Sequence, residues 1–139
     1  MKYWLLKTEP DEWSWEDQVK KNKEGAVWDG VRNFQARNNL RVMSINDLCF
    51  FYHTGKEKKI VGVVKVIKEY FDDKSDLTGN FGSIMVRSWK KFKLPVTLKD
   101  IKNHRLLMHL SLVKQSRLSV ISIDSKSWKI ICKMGKINL

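Results

Sequence analysis

The chain has 139 residues, of which 42% are apolar and 30% charged, a balance typical of one globular domain rather than a disordered segment. Its 27 lysines and arginines exceed its 15 aspartates and glutamates, and the formal net charge of +12 favours polyanions as partners. A basic surface without a specific partner is the alternative, because a lysine-rich genome composition can supply part of this charge.

The cysteine content and the apolar stretches exclude several classes of protein. Cys49 and Cys132 both lie in apolar surroundings, so we expect two buried thiols, with no disulfide framework and no structural metal. No apolar stretch approaches the roughly 18 residues of a membrane span, and the N-terminal apolar run is too short for a signal peptide. We therefore expect a cytoplasmic protein, or one that reaches a nucleoid or nucleus from the cytoplasm, without membrane contact. No cofactor is expected, and among oligomeric states, which the sequence leaves open, a monomer is favoured.

The first third of the chain predicts one strand and two helices. The strand covers Tyr3–Lys7, and Ser14 and Asp17 have the spacing of a capping box for a helix from Trp15 to about Asn22. An irregular segment follows over Trp28–Arg32, with its turn at Gly30. The next helix is predicted from about Phe34 to Met43, with a buried stripe at Ala36, Leu40 and Met43.

The middle of the chain is rich in strand signals. Strands are predicted over Leu48–His53, Ile60–Ile67 and Ile84–Lys93, with a loop over Asp72–Ser83 and a stop at Pro95. The second strand is apolar on both faces, which favours a closed barrel covered by helices.

The last third predicts two helices and one strand. Thr97 and Asp100 have capping-box spacing for a helix to about Leu107, and a strand covers Arg117–Ile123. Asp124 or Ser125 caps a final helix that ends at Gly135. The pattern predicts a single α+β domain over residues 1–139, a five- or six-stranded, mostly antiparallel β-barrel flanked by helices.

Four segments carry candidate site residues. The segment Trp28–Met43 is rich in arginine and asparagine. These side chains either bind base edges and phosphates or form hydrogen bonds that hold neighbouring loops. His53 in the segment Phe50–Thr54 either lines a pocket or is a structural histidine. Arg117 lies between Ser116 and Ser119, either for a phosphate or base contact or in a turn. Glu9 in the segment Lys7–Pro10 either forms an ion pair or accepts from a base.

These segments together resemble the EVE domain family. The motifs are Lys-Thr-Glu-Pro at Lys7–Pro10, the long block Trp28–Asn38, Phe-Tyr-His at Phe51–His53, Arg-Leu-Ser-Val at Arg117–Val120, and the ending Trp128–Gly135. The resemblance spans nearly the whole chain in the expected order. It implies a PUA-like barrel and a pocket that accepts one nucleobase, often a modified one, in DNA or RNA. Phe34 stands where many members have Tyr, and Ile121-Ser122 stands where Gln-Pro is common.

The resemblance implies a division of the site into two sets of residues. The nucleobase pocket is expected to contain Thr8, Glu9, Trp28, Val31, Arg32, Asn33, Ala36, Phe51, His53, Leu118 and Ser119. The phosphate backbone is expected to contact Lys7, Arg37, Asn38, Lys90, Lys91, Lys93 and Arg117. Trp28 or a nearby aromatic residue would stack on the base, and Asn33 and Ser119 would read its polar edge.

Two other functions compete with a non-catalytic reader of nucleic acid. The first is a ribonuclease related to ASCH domains, with His53, Lys7 and Arg37 as base and phosphate clamps; the sequence offers no convincing second acid or base. The second is a small-molecule or nucleoside-binding module, which would not need the basic surface.

Overall fold

The computed structural model describes residues 1–138 and places all of the strands in one sheet. The strands are β1 (Tyr3–Thr8), β2 (Ala26–Trp28), β3 (Leu48–His53), β4 (Lys59–Asp72), β5 (Gly82–Thr97) and β6 (Val120–Ile123). The α-helices are α1 (Trp15–Lys20), α2 (Phe34–Arg41), α3 (Leu98–Lys102), α4 (Ser111–Lys114) and α5 (Ser125–Met134), and two short 3-10 helices cover Asn22–Glu24 and Arg105–Leu107.

The sheet has the strand order β2-β5-β4-β3-β1-β6, and only the β1–β3 pair is parallel. The predicted α+β class and the mostly antiparallel six-stranded sheet are therefore confirmed. The prediction of a closed barrel is corrected, because within the described strands the pairing begins at β2 and ends at β6. Helix α2 packs against both β5 and β6, and Asn39 Nδ2 donates to the Val120 carbonyl oxygen at 2.8 Å. This helix thus covers part of the space between the two ends of the sheet.

The central strand β3 is buried on both faces because each face has its own aromatic cluster. Phe50 stacks on Trp128 of α5, with ring centroids 3.8 Å apart. Phe51 points to the opposite face, as alternate residues of a strand do, and makes edge contacts with Trp15 and Trp28. Helix α5 and the Trp28 segment therefore lie on opposite sides of the sheet.

Strands β4 and β5 are longer than the sequence predicted, and Pro95 lies inside β5 rather than after it. Lys91 pairs with Gly62, while Val96 pairs with Ile60, so residues 92–95 have no direct partners on β4. A proline needs no donor in such a bulge, which is why the strand continues through it. Burial of Ile60, Val63 and Val64 confirms that β4 is covered on both faces at its start.

Most local signals were correct, and some were not. The capping boxes at Ser14 and Thr97, the cap at Asp124 and the buried stripe of α2 are confirmed, as are two buried thiols. Strand β2 lies partly in a segment predicted to be irregular, and the helix predicted through Leu107 ends at Lys102. Among residues 1–138, each helix is too short or too polar to cross a membrane.

Asp124 gives a prediction for acid stability. Its Oδ2 caps α5 by accepting from Ser127 N at 3.0 Å, and its Oδ1 accepts from His109 Nε2 at 2.8 Å. Burial alone would raise the pKa of Asp124, but hydrogen bonds from His109 and Ser127 outweigh it and lower the pKa to about 2. A depressed pKa gives stability that is present above the unfolded-state pKa and is lost as the pH falls towards 2.

Asp124→Ala should therefore lower the free energy of unfolding at pH 7 by about 1 kcal/mol, since the carboxylate is half-exposed and solvent screens it. The difference from wild type should shrink as the pH falls from about 4 to 2. Urea titrations at several pH values measure both effects, and a difference that does not change with pH would contradict this role for Asp124.

Candidate functional site

One open cavity of about 800 Å³ lies beside the carboxyl end of β1. Its walls come from the end of β1 and the turn after it, from β2 and the loop that leads to α2, and from Met85 on β5. The cavity has the size of sites that bind small molecules or single nucleotides. Its charged lining is balanced, with three cations and three carboxylates: Lys7, Lys21, Arg32, Glu9, Glu12 and Asp29.

The structure brings many of the predicted site residues together at this cavity. Eight of them line it: Lys7, Thr8, Glu9, Trp28, Val31, Arg32, Asn33 and Ser119. They meet because β1 has its carboxyl end next to the start of β6, where Lys7 N donates to the Ser119 carbonyl oxygen at 2.9 Å. Residues that are far apart in the sequence thus line one surface, while their roles in binding stay predictions.

Trp13 supplies the more accessible aromatic surface of the cavity. It is half-buried, whereas Trp28 is only 7% exposed and makes an edge contact with Phe51. Trp13 Nε1 donates to Gln18 Oε1 at 2.9 Å, and the fully buried Gln18 uses its Nε2 to donate to the Val86 carbonyl oxygen at 3.1 Å. The Trp13 indole is therefore held through α1 to the sheet.

Asp73 anchors the loop that forms one wall of the cavity. Its Oδ2 accepts from Gly30 N at 3.1 Å and from Arg32 Nη1 at 3.0 Å, and its Oδ1 accepts from Ser75 N. Gly30 has a φ of +75°, a conformation that glycine adopts without strain. Burial alone would raise the pKa of Asp73, but hydrogen bonds from Ser75, Arg32 and Gly30 hold the pKa well below its usual range. The wall is thus fixed by an ionised carboxylate.

Asn33 combines a structural contact with a free donor. Its Oδ1 caps α2 by accepting from Ala36 N at 2.9 Å, which is a local tie of the kind the sequence left open. Asn33 is exposed and lines the cavity, and no acceptor within residues 1–138 is bonded to its Nδ2. The same side chain can therefore hold the helix and donate to a ligand.

Lys7 and Glu9 supply opposite charges at the end of β1. Lys7 Nζ donates to the Ser116 carbonyl oxygen at 2.9 Å, and burial lowers the pKa of this ammonium. Glu9 Oε2 accepts a hydrogen bond from Thr54 Oγ1 at 3.2 Å. Within residues 1–138, no donor is bonded to its Oε1. A cation donor and a carboxylate acceptor thus both face the cavity.

Four residues predicted for the pocket lie elsewhere. Ala36, Phe51 and Leu118 are in the hydrophobic core, because the inward faces of α2, β3 and the segment before β6 are needed for packing. His53 is also buried, and both of its ring nitrogens have structural partners. Its Nε2 accepts from Trp15 N at 3.1 Å, so its Nδ1 carries the proton that is donated to Glu57 at 2.9 Å. The structural interpretation of His53 applies, and its placement in the pocket is corrected.

The residues predicted for the phosphate backbone are dispersed. Arg37 donates to the Asn80 carbonyl oxygen at 3.0 Å and to Asn38 Oδ1, outside the cavity lining. Lys90 donates to the Asn138 carbonyl oxygen, and Lys93 and Arg117 are exposed. Only Lys7 of this set lines the cavity.

A basic groove lies next to the cavity and shares Lys21 with it. This groove, of about 730 Å³, lies between the end of α1 and β5, and it is lined by Lys20, Lys21, Asn22, Lys23, Glu24, Arg87 and Ser88. Its four cations outnumber its single carboxylate. The sequence did not single out these lysines, because their proximity to Arg87 depends on the packing of α1 against β5.

Other cavity residues were also missed in the sequence. Trp13 follows Pro10 in a turn and has no periodic neighbours, and Met85 occupies a strand position that resembles core. Asp73 lies in a segment interpreted only as a loop. Its proximity to Arg32 could not be inferred from a separation of 41 residues. Within residues 1–138, no group of three or more His, Cys, Asp or Glu side chains is positioned to hold a metal ion.

The fold and the cavity together define an α+β domain with an aromatic-walled cleft beside a basic groove. Comparison with known families identifies which class of domain this is: the EVE domain model matches residues 2–134. The chain therefore belongs to the EVE domain family, and the resemblance drawn from its motifs is confirmed.

Relatives of known name and structure agree with this assignment. Rat thymocyte nuclear protein 1 is 41% identical over 164 aligned positions, which cover 95% of this chain and 73% of that protein. The mouse protein matches at 46% identity, but the match covers 51% of this chain and 36% of the mouse protein. The chain therefore spans only part of these longer relatives.

Two solved structures illustrate the similarity of fold. Protein Atu2648 from Agrobacterium tumefaciens superposes with a TM-score of 0.94 at 40% identity, over 99% of this chain and 94% of that one. Human THYN1 protein, in complex with DNA that contains 5-methylcytosine, superposes with a TM-score of 0.89 at 25% identity, over the full length of both chains.

Proposed function

We propose that this domain binds nucleic acid without catalysis and recognises one modified nucleobase in the cavity beside β1. The observation that carries the proposal is the cavity itself, in which a half-buried indole lies beside a cation donor, a carboxylate and a free amide donor. Membership of the EVE family and the complex of human THYN1 protein with methylated DNA support it.

The base is expected to enter edge-first and to stack on Trp13, with Trp28 at the back of the cavity. Stacking of a base on an aromatic side chain contributes about 1–3 kcal/mol. Asn33 Nδ2 and Lys7 Nζ suit the acceptors of a base edge, and Glu9 suits an exocyclic amino group. A methyl group on the base would add about 0.8 kcal/mol if Val31 and Met85 remove it from water.

The sugar-phosphate backbone is expected to lie in the basic groove. The cavity lining is charge-balanced, which suits a neutral base, while the groove that shares Lys21 has an excess of cations. This set of cations differs from the one predicted from the sequence, of which Lys7 alone lines the cavity. Lysine contacts to phosphates give affinity without reading the base sequence.

Mass spectrometry of nucleic acid that copurifies with the protein tests the proposal. The protein is purified at low salt, the bound nucleic acid is digested to nucleosides, and one modified nucleoside should be enriched over the input. The same preparation from a Trp13→Ala variant serves as the control and should retain nucleic acid without the enrichment. A digest with the same nucleoside composition as the input would contradict base recognition.

Substitutions at Asn33 separate its structural contact from its proposed reading role. Asn33→Asp keeps an oxygen that caps α2 and replaces the Nδ2 donor by an acceptor. It should retain stability within about 0.5 kcal/mol and lose discrimination between modified and unmodified bases. Asn33→Ala should also lose about 1 kcal/mol of stability with the cap. Discrimination that survives in Asn33→Asp, measured by oligonucleotide titration, would remove Asn33 from the reading residues.

A further inference from the structure

A second groove continues from the basic groove along β5 and contains an exposed tryptophan. The Trp89 groove has a volume of about 490 Å³ and shares Lys20 and Ser88 with the basic groove. Trp89 is 39% exposed, although large aromatic side chains are usually packed. The cavity, the basic groove and the Trp89 groove therefore follow one another along the same strand, from Met85 to Lys91, and neighbouring ones share lining residues.

A β-bulge directs Trp89 outward. Ser88 pairs with Val64 and Lys90 pairs with Val63, so Trp89 is the extra residue between two consecutive partners on β4. Bulges of this kind change the direction of a side chain and are common next to functional sites. The exposure of Trp89 is therefore built into the pairing of β4 with β5.

Cations surround the exposed indole. Lys65 Nζ lies 3.5 Å from the ring centroid and covers one face of the indole, and the guanidinium carbon of Arg87 lies 5.5 Å from the centroid. Neither side chain lines the Trp89 groove, so a base in the groove would stack on the other face of the ring. Three lysines, Lys20, Lys90 and Lys91, line the groove itself, against the single carboxylate of Glu16. An aromatic ring among lysines and arginines matches the chemistry of a nucleotide, in which a flat base is joined to an anionic phosphate.

We propose that Trp89 is a stacking platform for a second base of the same single strand whose modified base occupies the cavity. This inference rests on the proposed function. The four residue steps from Met85 to Trp89 span about 13 Å of an extended strand. This distance corresponds to about four base steps of a stacked strand and to fewer in an extended one. The second base therefore lies at a fixed, short offset from the modified base, on one side of it.

The test combines substitution of Trp89 with removal of single bases from the ligand. The probe is a single-stranded DNA oligonucleotide with one central 5-methylcytosine, and each flanking position is in turn made abasic. With wild-type protein, removal of one particular flanking base should weaken binding about 5- to 150-fold, which is the range of one base–aromatic stack. With Trp89→Ala, the same removal should have no further effect, and Trp89→Phe should restore the dependence.

Controls separate this inference from the proposed function. Met108→Ala removes an exposed side chain outside both grooves and should behave as wild type. In one outcome, wild type prefers the methylated oligonucleotide while Trp89→Ala changes the effect of no abasic position. That result would contradict stacking on Trp89 and leave recognition of the modified base unaffected. If wild type shows no preference for this probe, the same scan is made with N6-methyladenine and with RNA; absence of preference or of binding in every case would contradict both. A Trp89→Ala effect confined to binding of a poly-glutamate peptide would instead assign the groove to an acidic protein.

Discussion

Asp73→Ala should lower the free energy of unfolding by about 2–3 kcal/mol and weaken binding of a modified oligonucleotide about tenfold or more. The substitution leaves Gly30 N and the Arg32 guanidinium without their shared acceptor, so the wall of the cavity loses its anchor. The expected fall in melting temperature is roughly 5–10 °C for a chain of this size. Calorimetry and fluorescence titration measure the two effects.

Asp72→Ala is the matched control, because Asp72 is the neighbouring residue and carries the same charge. Unlike Asp73, it is exposed, at the end of β4. It should change the free energy of unfolding by less than about 0.5 kcal/mol. Asp73→Asn should fall between the two, since the amide oxygen still accepts from one donor. Equal stability of the two alanine variants would show that the Asp73 contacts do not hold the cavity wall.

Charge reversal in the basic groove should produce the largest change in affinity. Lys20, Lys21 and Lys23 changed together to Glu should weaken binding of single-stranded oligonucleotides by about a hundredfold or more near 0.1 M salt. The slope of log K against log salt should also fall by about 2, because each phosphate contact contributes about 0.7 on single strands. The loss should be similar for modified and unmodified oligonucleotides.

Helix α5 offers a control with the same change in net charge. Lys126, Lys129 and Lys133 are exposed on the helix that packs against the Phe50 face of the sheet, away from the cavity. Their reversal to Glu should leave the salt slope within about 0.5 of wild type, because these lysines contact no phosphate. If both triple variants lose affinity equally, only the net charge matters, and the basic groove has no special role.

The sequence predicted the fold well where local chemistry decides it. Ser14, Thr97 and Asp124 were identified as caps because a side-chain oxygen before a helix has few other functions. The ends of β4 and β5 were missed because cross-strand pairing sets them: residues 92–95 bulge, so a proline that would end an ordinary strand is tolerated in β5. Closure of the sheet could not be predicted from strand patterns, since any alternating strand can lie at an edge or in a barrel.

The site, too, was predicted correctly in some parts and wrongly in others. Motif residues at the end of β1 and before α2 meet at the cavity, because topology brings strand ends together. Phe51 and His53 were misplaced since a strand pattern does not show whether a face packs against a helix or opens to solvent. Trp13 and Asp73 act through contacts with Gln18 and Arg32, and such contacts are invisible without the packing.

Equilibrium titration with matched oligonucleotides tests base recognition most directly. Each pair has one sequence and differs by a single methyl group on one central base, with 5-methylcytosine and N6-methyladenine tested in DNA and in RNA. For at least one pair, wild type should bind the methylated member about fourfold more tightly or better, as burial of one methyl group predicts, and Asn33→Asp should remove the preference. Equal affinities within every pair, for a folded protein that still binds nucleic acid, would contradict recognition of a modified base in the cavity.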